Sequence, residues 1–555
     1  MTTRPFVLLD DARAGRLLML SDLRRVDRVP IEAVDESLAD GWANGWRCFA
    51  WLPYEAGTGA TVGLYWFAHQ SSPTALPEGG PGRITGLAPD IDEAQHAHSV
   101  AALQEAIASG ESYQVNYTFR MRGRLEGDPV GAYLQLRDRQ PAEFGVVAHL
   151  PEPAPSWLLS LSPELFLQVR DGIVTARPMK GTAPAEAPRG FLRADPKNRA
   201  ENLMIVDLLR NDLSRVAVPG TVAVPSLFDV ERVGSLWQLT STVQARLAAG
   251  VTTGDVLRAA FPCGSITGAP KLSSMGLIER TETSPRGTYT GSLGLLDPDG
   301  LSLSVAIRTV EIDADGAATL GVGSGIVADS VAEDEWAESL LKARFAAQPT
   351  LKEAIRVVDG AAPLAALHSE RLSAAAARLC FPAVDKVIED AVAGTPQGAW
   401  RVGVDVAPDG SVTVTRRPLE REAGTVTLLL ADAAWHPGPN ADLKTDDRAA
   451  LDDAWRRAVA VGAFDTIGYD EAGRVLEGGR CNVFALVDGT WVTPPATLGL
   501  LPGVQRAALL ADPSQLGTDR VAEAELSLDQ FRRAQRIVVT NAVQGVLDAR
   551  LEEHR

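Results

Sequence analysis

This sequence predicts a mixed α/β protein in two domains, and three observations predict it. Residues 157–179 have the pattern of a β-hairpin, and 199–213 and 333–345 have the pattern of helices. The pattern then breaks at "FAAQPTL", 345–351, and a new alternation begins at "LKEAIRVVDG". A length of 555 residues suits two to four domains. The boundary is drawn between 1–346 and 347–555, the second part mixing strands with Ala-rich helices.

Taken along the chain, segment 63–93 is rich in Pro, Gly and Ser and reads as loop or linker. In the hairpin, "WLLSLSPELFLQV" and "IVTARPM" flank "RDG", with Asp171-Gly172 as the turn signal. In "RAENLMIVDLLRNDL" (199–213), Leu203, Val206, Leu209, Arg210 and Leu213 keep near-helical spacing with no Pro or Gly between them. "EDEWAESLLKARF" (333–345) carries acids in its first turns, where the helix dipole favours them. Farther on, "RAALDDAWRRAVAVG" reads as a helix with Thr445 as its N-cap, and "LLPGVQRAALL" as a helix opened by Gly503 to Gln505. "LHSERL" places His368 and Arg371 on one helical turn.

Composition narrows the function. With 45% hydrophobic and 22% charged residues the chain is an ordinary soluble globular type. The formal net charge is -18 and no Lys/Arg run interrupts it, which excludes nucleic acid and anionic membranes as general partners. An anionic small substrate still fits if local Lys and Arg outvote the global field. Cys48, Cys263, Cys380 and Cys481 are far apart and read as buried reduced thiols. The apolar stretch in "MTTRPFVLLDDARAG" is short for a signal peptide and no run would span a membrane, so a cytoplasmic enzyme is expected.

Singly, the candidate site residues are bland. Lys180 in "ARPMKGTAP" is by itself a loop-edge charge; Glu164, Glu201 and Glu338 are by themselves solvated carboxylates. Their company changes this. "FPCGSITGAPK" (261–271), "RGTYTGSLG" (286–294), "SVAIRT" (304–309) and "GVGSGIVADS" (321–330) read as Gly-rich turns that gather backbone N–H groups and hydroxyls around an anion.

These motifs, in this order, resemble the chorismate-utilising enzymes: anthranilate synthase component I, aminodeoxychorismate synthase component I, and isochorismate and salicylate synthases. The resemblance covers most of 95–345 and, more weakly, "VLLDD" and "PYEAG". It implies two large antiparallel sheets layered with outer helices. It implies Mg²⁺ on Glu201 and Glu338, holding the ring carboxylate of chorismate. Arg308 and the backbone at Gly323, Ser324 and Gly325 would hold the enolpyruvyl carboxylate. Tyr289 and Ser265 would touch substrate, and Glu164 would be the general acid/base at the C4 hydroxyl. Gln114 stands where water-adding members carry lysine, which disfavours isochorismate and salicylate synthesis. "PMKGT" is close to the "PIKGT" of aminodeoxychorismate synthases, so Lys180 would be a nucleophile at C2, kept partly neutral by burial. Gln238 replaces a histidine linked to pyruvate elimination, a departure that weakens the anthranilate reading. No cysteine sits in a glutaminase elbow, so nitrogen comes from ammonia or a separate glutamine amidotransferase. "VLLDD" resembles the part of the family that binds tryptophan.

In the second half, Lys444 in "NADLKTDDR", Glu477 in "VLEGGRCNVFALVDGTWVTPP" (two strands meeting at a Gly-rich turn) and the turn before "VQRAALL" resemble the fold-type IV pyridoxal-phosphate enzymes over about 350–546. These include branched-chain and D-amino-acid aminotransferases and aminodeoxychorismate lyase. The resemblance implies that Lys444 anchors pyridoxal 5'-phosphate and moves the substrate proton. Glu477 would pair with the pyridine nitrogen. Arg371 with the backbone at Val504 and Gln505 would hold the phosphate, and Asn482 and Asn541 would shape the site. The short run before "LKEAIRV" leaves little room for the family's opening segment, so part of the substrate pocket, or the usual homodimer contact through this half, departs from the pattern. Together the halves imply 4-aminobenzoate synthesis for folate: chorismate is aminated to 4-amino-4-deoxychorismate, which then eliminates pyruvate. Two alternatives stay open, an anthranilate synthase component I fused to a type IV aminotransferase, and a synthase with a non-catalytic docking module. Retention of Lys444, Glu477 and Arg371 argues against the second.

Overall fold

The computed structural model describes residues 4–184, 190–233, 236–438 and 440–552. The chain divides into two compact units, Met1–Ala347 and Gln348–Arg555. Among the described residues no helix is long and apolar enough to cross a membrane.

Among the described residues unit 1 is a ladder of 18 strands whose pairings are all antiparallel. The two sheets implied by the resemblance run into one another through Phe6–Asp11 and Arg16–Val29. One buried cluster packs strand on strand, with Val7, Leu20, Phe49, Tyr65, Val146 and Leu293. A larger one packs helices on strands, with Leu103, Ile205, Leu209 and Ile278 against Leu64, Val115 and Leu320. Asp10, in the "VLLDD" strand, is buried, accepts from Tyr133 Oη at 2.9 Å and pairs with Arg137.

Several sequence expectations change here. Segment 63–93 holds most of the strand Val62–Ser71 and all of Gly82–Pro89. Its Pro, Gly and Ser concentrate at 72–81, and "VGLYWF" is buried on both faces, so it lacks the alternation that marks a half-buried strand. The hairpin is shorter than 157–179. Leu165–Arg170 pairs with Ile173–Arg177 across Asp171 (φ 51°) and Gly172 (φ 70°), the two left-handed positions of a tight hairpin turn. Trp157–Ser162 is a separate strand beside Phe144–His149 and Thr309–Ile312; Pro163, with no N–H to give, interrupts the run.

The first helix starts earlier, spanning Pro196–Ser214. Asp195 caps it through Lys197 N and Asn198 N, with Pro196 at its first position. Its buried stripe is Asn202, Ile205, Val206, Leu209, Asp212 and Leu213. Leu203 is 51% exposed and Arg210 is exposed, because polar Asn202 and Asp212 take core places that an apolar count misses. The second helix spans Ala332–Ala343.

Unit 2 has a three-stranded antiparallel sheet (Leu351–Val358, Ala399–Val406, Val412–Pro418) and a mixed eight-stranded sheet. The helix Ala365–Arg378 packs Leu372, Ala375 and Ala376 on Leu351, Ile355 and Val404 of the small sheet. "VLEGGRCNVFALVDGTWV" gives three strands, Val475–Gly478, Asn482–Val487 and Thr490–Thr493, not two. Thr445 does not cap the helix Ala449–Ala460, which begins four residues later; its hydroxyl instead accepts from Asp447 N at 3.2 Å. Cys48, Cys263 and Cys481 are buried free thiols, while Cys380, at a left-handed turn (φ 57°), is only half-buried.

Candidate active sites

A cavity of about 340 Å³ in unit 1 gathers Glu164, Lys180, Glu201, Ser265, Tyr289, Arg308, Gly323, Gly325 and Glu338. The strand Ala317–Ile326 forms one wall. It pairs residue for residue with the strand Gln114–Gly127, so "GVGSG" is not the Gly-rich turn its composition suggests. Strand alternation puts Gly321, Gly323 and Gly325 on the cavity face, and what they supply is room. A Cβ at Gly321 would overlap the Tyr289 ring, and one at Gly325 would overlap the Gln114 amide and stand 2.9 Å from Lys180 Nζ. Ser324 faces away, buried, its hydroxyl without a partner among the described residues. Gln114 is buried, with its amide on the same side of Gly325 as Lys180, and does not line the cavity; neither of its amide atoms has a partner among the described residues.

Glu164 follows the break at Pro163 and is buried. Burial pushes its carboxyl up to about 7, against a hydrogen bond from Ser265 and the nearby charge of Lys180. Ser265, expected on substrate, instead donates to Glu164 Oε1 at 2.6 Å, while Cys263 Sγ lies 3.2 Å from its hydroxyl. Lys180 is half-buried, less than its expected role asks. Arg308 sits between two strands at φ 54°, a left-handed backbone unusual for a bulky residue. It hydrogen-bonds Gln140, and burial lowers its guanidinium to about 10, still protonated near neutral pH. Tyr289 is buried, with the Arg120 guanidinium 5.3 Å from its ring centre.

Glu201 and Glu338 reach this cavity from two helices. Burial opposes charge on Glu338, but Lys342 Nζ at 2.7 Å, together with the charges of Lys180 and Lys197, outweighs it and holds the carboxyl below its ordinary range. Among the described residues no group of three or more His, Cys, Asp or Glu is arranged for a metal. Two carboxylates on one cavity nevertheless fit Mg²⁺, which takes one or two and fills its octahedron with water and substrate oxygens. The sequence reading missed Glu335, buried and accepting from Ser330 Oγ at 2.7 Å, and Lys342, which also donates to Gly323 O at 2.9 Å. Their spacing of three and four from Glu338 on one helix was the available signal. Gln238, the departure from histidine, lines the cavity.

In unit 2 a cavity of about 1110 Å³ gathers Lys444, Glu477, Arg371, Asn482, Asn541 and Val504; Gln505 is buried behind Val504, outside the lining. Lys444 lies in a loop tied to the small sheet by Lys352 N to Lys444 O, 2.9 Å. Burial of its amine, with Arg371 and Arg448 nearby, lowers it to about 8. Glu477 is buried and pushed up to about 8 by that burial; it accepts from Leu501 N (3.0 Å) and Asn482 Nδ2 (3.1 Å). Asn541 Oδ1 accepts from Val543 N and Gln544 N, so it shapes a turn at the cavity edge. Gly503 precedes the helix Val504–Ala511, and Arg371 Nη1 donates to Pro502 O at 3.2 Å beside that helix start. A poised amine, a buried carboxyl and a guanidinium at a helix N-terminus make a donor set that fits a phosphorylated pyridine aldehyde.

Arg371 is held by Glu353, which sequence reading did not single out. Glu353 Oε1 and Oε2 accept from Arg371 Nε (2.9 Å) and Nη2 (2.6 Å), and Oε2 lies 2.7 Å from His368 Nδ1. Burial disfavours the charge, yet His368 and Arg371 together hold Glu353 at about 2. The signal was a carboxylate on the buried phase, with Leu351, Ile355 and Val357, of an alternating strand.

Comparison with known proteins adds two families and their relatives. Residues 62–348 match the model of chorismate binding enzymes, and 350–551 that of class IV aminotransferases. The chain is 41% identical over 286 residues to aminodeoxychorismate synthase component 1 of Salmonella typhimurium, covering 50% of this chain and 61% of that one. It is also 41% identical over 267 residues to anthranilate synthase component 1 of Streptomyces coelicolor, covering 47% and 52%. The menaquinone-specific isochorismate synthase of Escherichia coli shares the fold of unit 1, with a TM-score of 0.52 at 19% identity over 62% of this chain and 88% of that one. The matched part spans 30%, 35% and 61% of three curated aminodeoxychorismate synthases, from Arabidopsis thaliana, Streptomyces pristinaespiralis and Salmonella typhimurium.

Proposed function

The chain belongs to the chorismate-binding enzymes, and from that premise we propose that it makes 4-aminobenzoate in two steps, one in each unit. In the first, chorismate and ammonia give 4-amino-4-deoxychorismate and water. Identity does not separate this from anthranilate synthesis, since relatives of both kinds stand at 41%. The observation that carries the proposal is Lys180, whose amine abuts Gly325 in the same cavity as the buried Glu164, whose carboxyl burial pushes up to about 7. The lysine nitrogen adds to ring C2. The C4 hydroxyl leaves as water with the proton of Glu164. Ammonia then adds at C4 and the lysine nitrogen departs from C2. A general acid with a pKa near the working pH suits the protonation.

Glu201 and Glu338 would hold Mg²⁺, which neutralises the ring carboxylate. Arg308 is placed to grip the second carboxylate through its planar fork. The ammonia comes from solution or from a separate glutamine amidotransferase.

In the second step 4-amino-4-deoxychorismate gives 4-aminobenzoate and pyruvate. Pyridoxal phosphate, when bound, supplies an electron sink at the carbon bearing the amine. Glu477 would hold its ring nitrogen, and Arg371 and the helix start at Val504 its phosphate. Lys444 takes the C4 proton, which its lowered pKa makes feasible near neutral pH. The C3–O bond breaks, the ring becomes aromatic, and the enolpyruvyl group takes up a proton to become pyruvate. A type IV half that follows such a synthase in one chain favours this elimination over transamination.

The test is to incubate the full chain with chorismate and Mg²⁺ without ammonia, trap it, and map the peptides. An adduct on the peptide holding Lys180, absent from Lys180→Ala, is expected. An adduct elsewhere, or wild-type amination by Lys180→Ala, overturns the nucleophile.

A further inference from the structure

The small sheet of unit 2 carries a row of three arginines. Its register sets Arg356 opposite Arg401, and Arg401 opposite Arg417, on three adjacent strands. Residues directly opposite share a face, and this is the face away from the core: Val402, Val404 and Val406 alternate inward with the helices. Arg401 and Arg417 are exposed and line the cavity that holds Lys444 and Glu477; the Arg356 guanidinium continues the row beside Gly545. Among the described residues none of the three side chains has an ion-pair or hydrogen-bond partner.

Like charges directly opposite on a sheet destabilise it. Here three stand in line, and Arg480, on the same cavity, has its own guanidinium lowered by burial and, among its charged neighbours, by Arg401. Two of the acids on this cavity are already paired. Asp405 is held by Lys352 at 2.7 Å, and Asp452 lies 2.9 Å from Arg448. Glu422 makes its contact through its backbone N–H to Gln544. The row between the arginines and Lys352 is Ala354, Gly403 and Thr415, small enough to leave the wall open. Lys444 meets this face at its far end, where its carbonyl accepts from Lys352 N. Four residues of strand separate Lys352 from Arg356, roughly 13 Å along the sheet, a span that two long side chains and a ring can bridge.

We propose that Arg401 and Arg417, extended by Arg356, form the subsite that takes the carboxylate of an amino-carboxylate substrate whose amine is handled at Lys444. This rests on reading unit 2 as a site for a carboxylated amine, and it adds the residues that recognise the acid end. Guanidinium forks suit carboxylates, and binding one relieves the repulsion along the row.

The test uses the full chain loaded with pyridoxal phosphate and two isosteric probes, 4-aminobenzoate and the uncharged 4-aminobenzamide. Binding is read from the visible absorbance of the cofactor. Wild type should prefer the acid by at least about tenfold, the scale of one charge-assisted hydrogen bond, and the preference should fall about tenfold in Arg401→Ala/Arg417→Ala. Melting of the free variant tells a ligand site from a structural one: removing opposed like charges should leave its Tm unchanged or higher. Equal binding of the two probes by wild type, an unchanged preference in the variant, or a Tm loss of several degrees would overturn the proposal. Whether wild type releases pyruvate from 4-amino-4-deoxychorismate is measured separately. Absence of pyruvate with the acid preference intact would reject the lyase reading and keep the subsite.

Discussion

Ser265→Ala should raise the pH at which the first reaction fails. Glu164 must be protonated to help the C4 hydroxyl leave, and burial sets its carboxyl at about 7. The Ser265 hydroxyl, 2.6 Å from Oε1, favours the ionised form and so keeps the carboxyl from rising further. A hydrogen bond to a charged group contributes about 1.5–3 kcal/mol, and one pKa unit corresponds to about 1.4 kcal/mol. Removing the hydroxyl should therefore move the Glu164 carboxyl up by about one to two units, towards 8 to 9. The assay is the rate of Lys180 adduct formation with chorismate and Mg²⁺, without ammonia, followed against pH. Omitting ammonia removes its own titration from the profile. Wild type should lose rate as pH rises through about 7, and Ser265→Ala should hold its rate to higher pH. Glu164→Gln should lose about 10²–10⁴-fold at all pH values. A limb that stays put or moves down in Ser265→Ala would refute the reasoning, because the hydroxyl would then not be stabilising the anion.

Other expectations can be checked in the same chain. Gly325→Ala puts a methyl into the Gln114 amide and 2.9 Å from Lys180 Nζ, so adduct formation should fall more than tenfold. Either Glu201→Gln or Glu338→Gln should abolish chorismate consumption and leave the second reaction intact; full synthase activity of Glu338→Gln at limiting Mg²⁺ would remove it from the metal site. Glu353 is held at about 2, below its ordinary 4.5, so its ion pair stabilises fully above pH 4.5 and is lost as pH falls through 2. That shift corresponds to about 3 kcal/mol, and Glu353→Gln should weaken pyridoxal phosphate binding, measured by absorbance titration, through a misplaced Arg371.

The family order of motifs and most of the site were legible in the sequence because both depend on residue types at fixed spacing. Lys180 comes from a strand, Glu164 from a break between strands, and Glu201 and Glu338 from two helices, and they still share one cavity. The illegible parts have physical causes. "GVGSG" has the composition of a turn, yet it is a strand whose glycines clear space for Tyr289, Lys180 and Gln114; composition cannot tell a glycine used for backbone freedom from one used for room. Ser265 belongs to a substrate-contact motif, but its partner, Glu164, lies 101 residues away and no local pattern links them. The helix at Pro196 was phased by Leu203 and Leu209 because buried Asn202 and Asp212 do not register as core; Asn202 is paid for by Ser241 and the Leu239 carbonyl, and Asp212 by Lys271. The arginine row exists only once three strands are paired, so its members look like scattered surface charge along the chain.

The claim that two chemistries are divided between two units is tested most directly by Lys444→Ala in the full chain. Supplied with chorismate, ammonia, Mg²⁺ and pyridoxal phosphate, this variant should consume chorismate at the wild-type rate and accumulate 4-amino-4-deoxychorismate, identified by mass. It should release pyruvate at less than about one hundredth of the wild-type rate, since proton transfer alone typically contributes 10²–10⁴-fold. A variant that still makes 4-aminobenzoate unaided, or a wild type that makes anthranilate, would contradict the account.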